Sequence, residues 1–156
     1  MIYLANWLLN GMVVIGLLLL GSAPVHAQPG ETTWTHNGSV MRMTMESPYK
    51  ITVWYLEPRP GIMAEGVRPG TPFLYLETNP RDPSQVRGIA HVYALGCAPI
   101  PYNVAGVGMP GPNGRPILVL DGPSPLVQRD RTGNCVPVGE TLRSANSTLY
   151  LEMQLE

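Results

Sequence analysis

Glycine and proline interrupt this chain too often to leave room for long helices. Each occurs 17 times in 156 residues, together about twice their usual share. Past residue 27, no stretch of twelve residues free of both carries the i, i+3, i+4, i+7 apolar spacing of a helix. The interruptions leave short runs with a period of two. Leu149, Leu151, Met153 and Leu155 alternate with Tyr150, Glu152, Gln154 and Glu156, as in a strand with one buried face. Met41, Met43 and Met45 alternate with Arg42, Thr44 and Glu46. Ile51 to Leu56, Phe73 to Leu76, Val86 to Leu95, Tyr102 to Val107 and Ile117 to Leu120 are further strand candidates, with a weaker one over Leu126 to Gln128. Turn residues separate them: Ser47-Pro48-Tyr49, Asn79 to Pro83, and Gly108 to Gly114. About eight short strands at this spacing predict an all-β fold. The expected form is an antiparallel meander closed into a small barrel, with a β-sandwich as the alternative. Small Gly88 and Ala90 beside large residues suit a curved, barrel-like strand.

The N-terminus reads as an address. Leu8 to Leu20 is almost wholly apolar, and Val25 and Ala27 give the small-x-small pattern of a signal-peptidase site, with Pro24 breaking any helix before it. Residues 1–27 are expected to be a signal peptide cleaved after Ala27, and residues 28–156 a single β-domain. The chain is then exported, to the periplasm or the medium. No Cys stands near the site for a lipid anchor. The competing reading is an uncleaved anchor, the only membrane contact expected, because the first basic residue is Arg42. The apolar run is shorter than the ~20 residues that span a bilayer, which favours cleavage. A formal charge of −1 argues against nucleic acid as a partner, since such binders need a basic surface. Cys97 and Cys135 are the only cysteines, and an even pair in an exported chain is most simply one disulfide. It closes a loop of about 39 residues, worth about 4 kcal/mol in lost unfolded-chain entropy. The alternative is a redox or nucleophilic thiol, but neither Cys lies in a C-x-x-C.

Several short motifs occur in series. They are Trp34 to Met41, Glu57-Pro58-Arg59-Pro60-Gly61, Gly66 to Thr71, Ala90-His91-Val92-Tyr93, Cys97, Tyr102 to Gly106 and Cys135. Together they resemble an uncharacterised family of small exported bacterial β-domain proteins. Similar domains adjoin caspase-like peptidases in some bacterial proteins. The resemblance covers most of the chain after the leader. It implies a small β-domain, export and a structural cysteine pair, and no activity. Pro80 to Ser84 stands where that pattern has a Gly-containing turn.

Catalytic signatures are missing. There is no G-x-S-x-G, no H-E-x-x-H and no Walker-type loop, and the sequence calls for no cofactor. After the leader only His36 and His91 remain; a lone His in a strand is more often a hydrogen-bonded structural residue than a base. The Met41-x-Met43-x-Met45 run would place three thioethers on one face about 7 Å apart. Thioethers are soft ligands for Cu(I), and His36 is near in sequence. The plainer reading is that the methionines fill the core. Glu57 to Pro72 forms a long connection carrying Arg59, Glu65 and Arg68, with apolar Ile62 and Met63. Both Arg-Pro-Gly units fit type II turns. Such a loop could present Arg59 and Arg68 to a carboxylate or an acidic partner, or simply cover one end of the barrel. Trp34, His36 and Asn37-Gly38 read as a turn into the first strand, with Trp34 capping the core or lining a pocket mouth. Asn37-Gly38-Ser39 and Asn146-Ser147-Thr148 match the N-glycosylation pattern, which matters only in a eukaryotic source.

The leading expectation is an exported, non-enzymatic domain binding a protein or cell-envelope partner, with Trp34, His36, Arg59 and Arg68 as candidate contacts. The second is a small-ligand carrier, since a closed eight-stranded barrel can hold one small ligand. It fails if Met41, Met43, Leu149, Leu151 and Met153 fill the interior. The third is a hydrolase with a site assembled from separate strands.

Overall fold

The alternating runs form strands. The computed structural model describes residues 30–154; the leader expected over 1–27, and Leu155 at the end of the last alternating run, lie outside them. The chain begins with β1 (Glu31–His36), β2 (Ser39–Ser47) and β3 (Lys50–Glu57), then a short helix, α1 (Pro60–Ala64). Next come β4 (Pro72–Asn79), β5 (Asp82–Val92), β6 (Ile100–Pro110) and β7 (Pro116–Asp121). A ribbon of β8 (Ser124–Arg129) and β9 (Cys135–Thr141) precedes β10 (Thr148–Met153). Eight strands close a barrel in the order β1-β10-β7-β6-β5-β4-β3-β2, with the ribbon outside it. All neighbouring pairs are antiparallel. The sandwich alternative is thereby excluded: Trp34 pairs with Met41 on one side and Met153 on the other, so the sheet has no break at β1.

Period-two alternation sends every second side chain inward. One inner row runs Met43, Val53, Leu74, Ala90, Tyr102 across five strands. Leu118, Leu120, Leu149 and Leu151 fill the opposite wall, and all nine are buried. Met153 packs against the same core. Bulges let the short strands curve. At the one between Val53 and Trp54, Trp54 pairs with Pro72 and Phe73 is left over; Phe73 and Leu74 are then both buried, although adjacent.

The structure corrects several details. Trp34 to His36 is not a turn but the end of β1; the turn is Asn37-Gly38 alone, with φ +47° and +80°, the signs a two-residue hairpin needs. Gly108 to Pro110 extend β6, so the next turn starts at Gly111. Pro110 faces Pro116 at the last rung of that ladder, where a missing N–H is tolerated. The predicted strand ending at Leu95 stops at Val92. β9 had no clear signal, because Pro137 and Gly139 break its alternation. Of the two Arg-Pro-Gly units, only the second is a type II turn. There Thr71 N–H donates to Arg68 O at 3.0 Å and Gly70 has φ +84°. The first starts α1, with Pro60 at its first position, where a proline fits.

The two barrel ends differ. The connection from β3 to β4 closes one: Val67 is buried in it and Ile62 packs onto the core. The loop after β5 and the ribbon stand at this closed end, joined by the disulfide Cys97–Cys135 with Cα atoms 5.6 Å apart. Arg129 reinforces the joint, donating to Gly133 O at 2.9 Å and to Leu95 O. The other end is ringed by the β2–β3, β4–β5 and β6–β7 turns and is left open among the described residues.

Candidate functional site

Trp34 and His36, two residues apart on one strand, both point inward, but toward opposite ends. Trp34 donates from Nε1 to Thr32 Oγ1 at 2.8 Å, and its ring lines the open mouth. His36 lies at the closed end, only 6 % exposed, with its ring 4.9 Å from that of Phe73. Its Nδ1 is 2.9 Å from Tyr150 O, a pure acceptor, so Nδ1 carries the proton. Nε2 is then free to accept from the Asn37 amide at 3.3 Å. Both nitrogens are engaged, and the ring is a neutral bridge between strands. Burial holds its pKa below the usual histidine value, and the nearby Arg59 charge adds to this against the Tyr150 hydrogen bond.

That burial has a measurable sign. In the unfolded chain the imidazole takes up a proton near 6.5, whereas in the fold it does so only at lower pH. The native state therefore loses stability as pH falls below 6.5, by up to about 1.4 kcal/mol per unit. Asp82 and Asp130 are held below the ordinary carboxylate value by bonds from Ser84 and Thr132, so their loss lies at lower pH. The thermal midpoint should fall between pH 7 and pH 5, and fall less in His36→Gln. Parallel curves for the two proteins would refute the assignment.

The other predicted contacts divide. Arg68 donates from Nη1 to Met63 O at 2.9 Å and Val67 O at 2.8 Å, so its guanidinium stitches its own loop. Arg59 donates its backbone N–H to Ser39 Oγ at 3.0 Å, and its side chain lies over Gly38 and Gly61. Glu65 accepts from Leu95 N–H at 2.9 Å, tying this segment to the loop after β5. These contacts make residues 57–72 a stitched cover. Met41 and Met43 are buried in the core, while Met45, beside a register shift, is exposed. His36 and Met45 stand near opposite ends of the β1–β2 hairpin. Among the described residues, no three His, Cys, Asp or Glu side chains are placed to hold a metal. Tyr93 donates to Pro72 O, and Tyr102 to Asn146 O at 2.6 Å. Burial pushes both hydroxyls up to about 12, so they stay protonated as locks on the closed end.

A groove of about 870 Å³ lies on the outer wall over β3 to β7. Barrel strands coil into a hyperboloid, which is concave along its length on the outside. The register lays two outward rows across this waist. One is Thr52, Tyr75, Ile89, Asn103; the other is Lys50, Glu77, Arg87, Ala105, Asp121. Tyr75 and Ile89 are 43 % and 41 % exposed. The Tyr75 ring meets that of His91 edge-on at 5.7 Å. Arg87 and Glu77 approach to 4.0 Å, and Asp121 accepts from Thr148 Oγ1 at 2.6 Å. The arrangement is an apolar centre beside a row of alternating charge. Sequence reading missed it, although one signal was present: Tyr75 and Ile89 are apolar at the outward phase of their strands.

Comparison with known protein families, with curated proteins and with solved structures finds no match to this chain.

Proposed function

We propose that the chain is an exported, non-enzymatic β-barrel domain that binds a protein partner along its outer wall. The observation that carries this reading is the groove, in which Tyr75 and Ile89 stand exposed beside charged side chains. A central aromatic anchor with a polar surround is how protein interfaces are built. The filled barrel centre supports an outer site over a central one. The disulfide is compatible with an oxidising compartment, as the expected leader requires. The likeness to small exported bacterial β-domains agrees with the same reading.

A photo-cross-linking residue at position 75, with the protein in its own envelope fraction, tests the proposal. Tyr150, equally exposed on β10, is the control position. One discrete adduct is expected from position 75, none from position 150, and loss of the adduct in Ile89→Asp. Once the partner is in hand, Tyr75→Ala should weaken binding by about 2 kcal/mol, roughly thirtyfold. The same adducts from both positions, or none from position 75, would overturn the reading.

A further inference from the structure

We propose that the open mouth of the barrel binds the alkyl chain of a single-chain anionic amphiphile such as a fatty acid. The mouth is a cup of about 420 Å³, within the range of small-molecule sites. Seven of the eight barrel strands contribute to its wall. Its wall is apolar, formed by Trp34, Met43, Ile51, Val86, Ile117 and Leu118, and among the described residues no charged side chain lines it. Trp34 Nε1 is already bonded to Thr32, so the indole offers only its ring. Met43 is a flexible, polarizable filler that adapts to different chains. The Thr78 hydroxyl, a rare polar group here, donates to Pro48 O at 3.4 Å.

This wall discriminates between occupants. A peptide entering it would bury amides with nothing to bond them, which costs several kcal/mol per group in an apolar site. An alkyl chain asks for no such partner. The rim supplies the complementary charge. Two of the three turns around the mouth carry a cation, Arg81 after β4 and Arg115 after β6, and Lys50 is the first residue of β3 at the same end. The nearby carboxylates have partners, although Asp82 and Glu46 keep their charge, and Glu77 pairs with Arg87 at 4.0 Å. Asp82 accepts from Ser84 and Gln85, Glu46 from Thr52, Glu152 pairs with Arg115 at 3.8 Å, and Glu31 with Arg42 at 4.0 Å. Lys50 and Arg81 form no ion pair among the described residues. Arg81 is available to a carboxylate whose chain descends into the cup, whereas Lys50 faces the outer row beside Glu77.

One glycine gives a clean test. A Cβ at Gly108 would meet only the carbonyls of Ile117 and Ser84, each at an ordinary 4.0 Å. Gly108→Leu therefore places its Cβ without a backbone clash and extends a side chain into the cup. The probes are dodecanoate and uncharged dodecanol, titrated below micelle formation into the purified full chain and followed by tryptophan emission. Trp34→Phe identifies the reporter. A saturable change with one equivalent of dodecanoate is expected, lost in Trp34→Phe. Gly108→Leu should weaken binding by about tenfold or more through steric exclusion, with its thermal midpoint unchanged. Arg81→Glu should weaken dodecanoate roughly two- to fivefold, as exposed ion pairs do, and leave dodecanol unaffected. Absence of a saturable change, unaltered affinity in Gly108→Leu, or binding only to anionic phospholipid vesicles would overturn the proposal. The cross-link from position 75 lies on another face and reads the partner proposal independently.

Discussion

Gly106→Ala should destabilise the protein by about 3 kcal/mol or more, and Gly88→Ala by a similar amount. Overpacked cores usually lose 1–3 kcal/mol, but these two sites lack the usual relief. A Cβ at Gly106 would stand 1.8 Å from Val119 O and 2.8 Å from Leu120 Cα; at Gly88 it would stand 2.0 Å from Tyr75 O. These are backbone atoms of paired strands, which cannot rotate away as a side chain would. At both glycines the neighbouring backbone approaches too closely for a Cβ, and small residues are how a barrel turns such corners. Gly108→Ala, two residues along β6 where a Cβ makes only ordinary 4.0 Å contacts, is the matched control and should stay within about 0.5 kcal/mol of the parent. Denaturant midpoints measure all three. Near-equal midpoints for Gly106→Ala and Gly108→Ala would mean that the close approach is not needed for closure.

Cys97→Ser with Cys135→Ser comes second, at about 4 kcal/mol from the regained entropy of the unfolded loop. The bridge spans a sequence separation of 38 and holds the ribbon to the loop after β5. An isolated two-stranded ribbon is marginal in water, and β8–β9 has few contacts with the barrel, the main one being with β6. The loss should therefore be uneven. Hydrogen exchange should accelerate first in 124–141, while β2 to β5 keep their protection until global unfolding. Uniform acceleration across the barrel would show that the bridge supports the whole fold rather than the ribbon's attachment.

How much of this was legible in the sequence depends on which distances decide a feature. Met41 and Met43, or Leu149 and Leu151, announce their strands through neighbours two residues away, and their burial follows. Gly88 hinted at curvature, but the need for it comes from Tyr75 O on another strand. β1 was hidden because its inward residues, Trp34 and His36, look like a site rather than a core face. His36 is buried only because Tyr150 O and Asn37 satisfy its ring, and the first of these is on the far side of the chain. Arg68 reads as a free cation until the loop folds back and its own carbonyls claim it. The groove depends on register. Tyr75 meets Ile89 only because β4 and β5 pair as they do, and a one-residue slip of either strand would turn its member of the pair inward.

The join between β1 and β10 has a consequence in time. Thr35 bonds to Glu152 O across 117 residues, whereas most other ladders link neighbours in sequence. Hairpins such as β2–β3 can form within microseconds, long before this last seam. Until β10 arrives, β1 and β7 each offer an open edge, the usual template for misassembly. The ribbon shortens that interval. Gly122 N–H donates to Ser147 O at 2.9 Å, and β8–β9 folds the intervening chain back on itself. Asp121 and Thr148 are thereby brought opposite each other. The excursion outside the barrel thus begins and ends at neighbouring positions, Asp121 and Thr148, so that β10 re-enters beside β7.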